Sequence, residues 1–138
     1  VSEYAISQIE EKTRKWCGVI KPQDELVCAE DGYDWILCKD ILEHIPYQDL
    51  HDQLTVLYRG GKRVMAMIPL GDGEKYIIDS YELDKSHFIR ESLQWWHEQF
   101  EEAGFDVDMS TYDMGPFKKN WQFEPEGNML IMATSRDE

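Results

Sequence analysis

The chain has 138 residues, 42% apolar and 12% aromatic, which is the composition of one globular domain burying about 70% of its unfolded surface. Its formal charge of −14, from 28 acidic against 14 basic side chains, argues against nucleic acid and against an anionic membrane surface as partners, since both need a basic face. Cys17, Cys28 and Cys38 have neither CxxC spacing nor an even count, so no zinc site or disulfide framework is expected and a reducing cytoplasm is the expected compartment.

Ser2 is placed to cap a first helix carrying Tyr4, Ile6 and Ile9, with Lys12, Arg14 and Lys15 near its C-terminal end. From Gly18 to Glu30, Val19, Ile20, Leu26 and Val27 alternate with Pro22, Asp24 and Glu25, the pattern of one or two short extended pieces around a turn. The run Trp35 to Cys38 has the length and apolarity of a buried parallel strand, and the residues after it turn polar before a helix. Tyr47 to Arg59 sets Leu50, Leu54, Leu57 and Tyr58 on one helical stripe ended by Gly60-Gly61. Val64 to Ile68 reads as a second buried strand, so that strand, helix and strand form a right-handed parallel crossover.

Gly71 to Ser92 is a long polar connection of the kind that serves as a lid, and its Gly71-Asp72-Gly73 reads as a turn. Leu93, Trp96, Phe100 and Ala103 form the apolar stripe of another helix, with Gly104 as its C-terminal cap. Phe105, Val107 and Met109 alternate with polar residues as in an edge strand, and Met129 to Ala133 reads as an inner strand. Between them Tyr112 to Asn128 makes a long excursion, in which Lys118-Lys119, like Lys62-Arg63, reads as a solvated turn.

Three segments fall in a familiar order: DWILCKDILEHIP from Asp34 to Pro46, the GGK turn at Gly60 to Lys62, and WWHEQFEEAGF from Trp95 to Phe105. Together they resemble the class I S-adenosylmethionine-dependent methyltransferases of the small-molecule type, the first resembling the family's signature at its fourth strand. The resemblance implies an α/β, Rossmann-like sheet with a C-terminal antiparallel strand, a single domain over 1–138, S-adenosylmethionine as cofactor and a small-molecule acceptor. VSEYAI at the start resembles the residues immediately after the family's second strand. The sheet is therefore expected to be incomplete on its N-terminal side, without the glycine-rich cofactor loop, and cofactor binding by this chain alone is not expected.

By the same resemblance Cys38, Lys39 and Asp40 lie beside the cofactor's methionine portion, and Glu30 and Asp31 near its adenine. An open strand edge is expected beside Trp35, and such edges pair with other chains, so a homo-oligomer is expected. A non-catalytic remnant used for oligomerisation or partner binding is the competing reading.

Methyl transfer depends on positioning and water exclusion more than on a covalent side chain. His44, just past the strand end, suits either a general base or a loop hydrogen bond. Glu43 likewise suits either facing substrate or a place at the following helix's N-terminus, where a carboxylate is stabilised without any catalytic role. His87, three residues after Asp84 and near Tyr76 and Tyr81, suits contact with a small polar acceptor or an ordinary surface position. A metal needs three or four convergent ligands; the Asp84/His87 pair offers half a set, and no metal is expected. Trp96 belongs to the apolar stripe and Trp95 does not, while Trp121 suits a loop anchor.

Overall fold

The computed structural model describes residues 3–18 and 32–136. Its centre is a four-stranded sheet of β1 (Ile36–Lys39), β2 (Arg63–Pro69), β3 (Phe105–Thr111) and β4 (Asn128–Ser135) in the order β1-β2-β4-β3. β1 and β2 are parallel, with Ile36 opposite Val64 and Cys38 opposite Ala66, and β4 runs antiparallel to both β2 and β3. The mixed α/β sheet and its antiparallel last strand are those expected from sequence. β3 is an edge strand, its register to β4 shifting between Val107 and Met109.

Helix α3 (Tyr47–Gly60) makes the crossover between the parallel strands and buries Leu50 and Leu54, as its stripe requires. At its end the chain passes so close to β1 that a side chain on Gly61 would meet Ile36 at 2.8 Å. Helix α4 (Leu93–Glu102) starts where the Ser92 hydroxyl accepts from the Trp95 N–H at 3.2 Å, and it buries Trp96 and Phe100. Gly104 closes it in a left-handed turn, φ +102°, against the Tyr58 ring. The core joins these faces to Val64, Ala66, Ile68, Phe105, Met129 and Ile131.

The connection from Gly71 to Ser92 is pinned to this core by Tyr76 and Ile89, both fully buried, with the Tyr76 hydroxyl donating to the Ile89 carbonyl at 2.7 Å. Gly71 sits where a Cβ would lie 2.5 Å from the carbonyl oxygens of Lys75 and Arg90, so the turn there admits only glycine. Glu82 ties the connection together, accepting from the Tyr76 N–H and from the Arg90 guanidinium.

Two expectations change. The single first helix is instead two short pieces, α1 (Glu3–Ser7) and α2 (Glu11–Arg14), with no buried residue in either. Helices of this length are marginal in water unless a packed face supports them, and these have none. β1 is not buried on both faces: Cys38 points into the core, while Trp35 and Leu37 are 45% and 58% exposed. Among the described residues no strand pairs with the far edge of β1. The extended pieces expected between Gly18 and Glu30 fall almost entirely outside the described residues.

Candidate functional site

Parallel strands deliver their carboxyl ends to one side of a sheet, and ligand sites of open α/β folds form there. β1 ends at Lys39, and Asp40 comes next with φ +53°, a left-handed backbone unusual for a residue other than glycine and a frequent mark of functional turns. The Asp40 N–H still donates to Met67 of β2 at 3.0 Å, so the turn is held to the sheet. A 3-10 turn, Leu42–His44, then leads into α3. Beside these ends lies a cavity of about 410 Å³, with Asp40, Glu43, Pro69, Tyr81, His87 and Lys118 on its wall.

Glu43 is the unusual member of this wall. It stands ahead of α3, which begins only at Tyr47, and it is 1% exposed. The connection folds over it, the Phe88 and Ile89 N–H groups donating to the Glu43 carbonyl at 2.8 and 3.2 Å. One carboxylate oxygen, Oε2, is buried without a hydrogen-bond partner. Burial of the charge pushes its pKa up to about 7, opposite in sign to the helix-end stabilisation expected from sequence.

His44 and His87 meet beside it, ring centroids 4.6 Å apart. His87 is held by Nδ1, which lies 2.9 Å from the Tyr81 carbonyl oxygen. His44 Nδ1 lies 2.9 Å from the Ser86 hydroxyl and 3.2 Å from the Ser86 carbonyl. One donor atom from each of Glu43, His44 and His87 lies within 4.8 Å of the other two. The loop bond foreseen for His44 is present, and His87 is a part-buried wall residue, not a surface one.

Lys118 is no solvated turn residue. Only 10% of its side chain is exposed, and its ammonium is paired with Asp40, donates to Asn128 Oδ1 at 2.9 Å and lies over the Tyr81 ring. Asn128, fully buried at the start of β4, also accepts from the Tyr81 hydroxyl at 2.8 Å and donates to Asn120 at 3.2 Å. Burial raises the Asp40 pKa, but hydrogen bonds from Lys118 and Lys39 outweigh it and hold the carboxyl below its ordinary value.

The sequence matches no protein-family model and no curated protein. Solved structures are similar. A chain from the complex containing the Haloferax volcanii Trm112 methyltransferase activator superposes with a TM-score of 0.63 at 16% identity, over 83% of this chain and 59% of that one. A SAM-dependent methyltransferase from Archaeoglobus fulgidus gives 0.60 at 16% identity, over 92% of this chain and 73% of its own. Magnesium protoporphyrin IX methyltransferase from Synechocystis with bound SAH gives 0.54 at 12%, over 83% and 49%. This is a methyltransferase fold. The chain thus spans between about half and three quarters of the length of these structures.

Within the methyltransferase fold the residues expected at the cofactor separate into three groups. Lys39 and Asp40 line the cavity. Cys38 lies beneath it in the core, where burial pushes the thiol up to about 11 and keeps it neutral. Glu30 and Asp31 lie outside the described residues. Trp95 packs edge-on against Tyr47 at 5.8 Å, on the flank of the same connection, and Trp121 anchors its loop by donating to the Gly115 carbonyl at 3.2 Å. Among the described residues no helix is long and apolar enough to cross a membrane.

Proposed function

We propose that this chain provides the acceptor side of an S-adenosylmethionine-dependent methyltransferase acting on a small polar molecule. The observation that carries the reading is the cavity at the carboxyl ends of β1 and β2, with Asp40, Glu43 and His87 on its wall and His44 against His87. When bound, S-adenosylmethionine supplies an electrophilic methyl group. The paired charges of Lys39, Asp40 and Lys118 suit a zwitterionic amino-acid tail, one cation facing its carboxylate and Asp40 its ammonium.

Glu43, His44 and His87 form the acceptor's side. As the acceptor's N–H or O–H group gives up its proton, these three present the basic atoms that favour that loss. The Gly71 to Ser92 connection, through Phe88 and Ile89 on Glu43, keeps water from the same place. The cofactor's remaining contacts belong to a glycine-rich strand, turn and helix beside β1, which the described residues do not include.

Isothermal titration with S-adenosylmethionine tests this. The 138-residue chain alone is expected to give no measurable binding, and the same chain extended by fusing a glycine-rich strand, turn and helix ahead of Val1 is expected to bind in the micromolar range. Failure of the extended chain to bind sinks the catalytic reading. The exposed face of β1, with Trp35, Leu37 and Ile41, favours a second reading, self-association or partner binding without catalysis. Light scattering on the same samples separates the two, since a homogeneous oligomer that never binds cofactor belongs to the second.

A further inference from the structure

His87 is brought to the adjacent Glu43 and His44 from more than forty residues away, and the hydrogens on the two rings can be assigned. Ser86 has one O–H. It points at Asp84 Oδ1, 2.6 Å away, because a carboxylate only accepts and Asp84 also takes the Ser86 N–H at 2.9 Å. The Ser86 oxygen, like the Ser86 carbonyl, is therefore an acceptor toward His44, and the hydrogen sits on His44 Nδ1. The Tyr81 carbonyl fixes the hydrogen of His87 on Nδ1 in the same way. In the neutral form of each imidazole the bare lone pair is therefore on Nε2.

These lone pairs face other lone pairs. His44 Nε2 is 3.9 Å from Glu43 Oε1, and His87 Nε2 is 3.6 Å from Asp84 Oδ2. Glu43 Oε2, on a residue 1% exposed, has no partner at all. Nitrogen and oxygen lone pairs that converge in this way repel unless a proton or a metal cation lies among them, and three of them within 4.8 Å of one another are a preformed donor set. Backbone or hydroxyl acceptors behind each Nδ1 are the arrangement that orients histidines as metal ligands.

We propose that Glu43, His44 and His87 form a binding site for a divalent first-row metal cation. Two imidazoles and one carboxylate with an open side are a donor set suited to Zn²⁺, Mn²⁺ or Fe²⁺ and poorly suited to Ca²⁺, which prefers oxygen alone. Of the lysines on the same wall, Lys118 and Lys39 oppose a cation least because both are paired with Asp40. The open side of the three ligands is the cavity, where Glu43 and His87 are wall residues. A lone pair that holds a cation cannot also take the acceptor's proton, so with metal bound these three act as ligands and not as bases, and cation binding stands or falls separately from the cofactor titration.

The test is titration of the chelator-treated full chain with Zn²⁺, read by calorimetry and by imidazole ¹⁵N NMR. One cation per chain is expected, with the Nε2 resonances of His44 and His87 shifting together. Glu43→Gln and His87→Gln are expected to weaken binding at least about 100-fold, and Ser86→Ala, which removes only the support behind His44, about 10-fold. His97→Ala, at the surface pair with Glu101, is expected to leave affinity unchanged. Absence of saturable binding, or binding in which neither Nε2 shifts, overturns the proposal, and the wild-type spectrum decides even if a ligand variant fails to fold.

Discussion

Trp96→Ala is expected to lower the unfolding free energy by about 3–5 kcal/mol, the range for deleting a buried aromatic ring. Trp96 is fully buried where α4 meets the sheet, edge-on to Trp95 with centroids 5.2 Å apart and in one cluster with Phe100 and Ile89. The indole N–H is buried with no hydrogen-bond partner. Trp96→Phe therefore discards an unpaired donor while it loses ring volume, and the two effects oppose, leaving the variant within about 1–2 kcal/mol of the native chain. Urea unfolding of both variants measures this. A loss below about 1 kcal/mol for Trp96→Ala would mean that α4 does not hold the core closed.

The second large effect is a pH dependence set by Glu43. Its pKa rises from 4.5 to about 7 because burial penalises the charge. In the unfolded chain it ionises near 4.5, so between pH 4.5 and 7 the folded state binds more protons. Stability contributed by this residue is intact below pH 4.5 and falls as pH rises through the window, by about 3 kcal/mol at its upper end. In chelator, thermal unfolding of the native chain should weaken across that interval, whereas Glu43→Gln should flatten the profile and gain stability at pH 8. A Glu43→Gln profile parallel to the native one would refute the assignment. The cost exists because the carboxylate is buried with one oxygen unpaired.

The frame of the fold was legible because local signals agreed with each other. Apolar runs at Trp35 and Val64, the leucine stripe of Tyr47 to Arg59 and the Gly104 cap each specify their element from neighbours within a turn or two. β3 and β4 were separable because alternation in Phe105 to Met109 marks an edge and continuous apolarity in Met129 to Ala133 marks an interior strand. The site was legible only in part. His44 and His87 stood out by residue type, but the burial of Glu43 depends on Phe88 and Ile89 arriving from a distant connection. Lys118 looked solvated for the same reason, since its partners Asp40 and Asn128 come from the ends of two different strands. Exposure of Leu37 was hidden because strand apolarity reports a capacity for burial and says nothing about whether a second layer is there to cover it.

Asn128 carries a consequence for motion. Its side chain holds Tyr81 from one connection and Lys118 and Asn120 from the other, and next to it the Gly127 carbonyl accepts from the Leu70 N–H at 3.0 Å. Neither connection can lift from the cavity without breaking a knot that also fastens its companion. The two flaps should therefore behave as one cooperative unit, with amides of 76–90 and 113–127 exchanging hydrogen in a single opening event and Asn128→Ala speeding both together. Independent exchange of the two segments would show that the knot does not govern them. If they open together, entry to the cavity is gated by a single barrier, and that barrier is set by an asparagine that need never touch what enters.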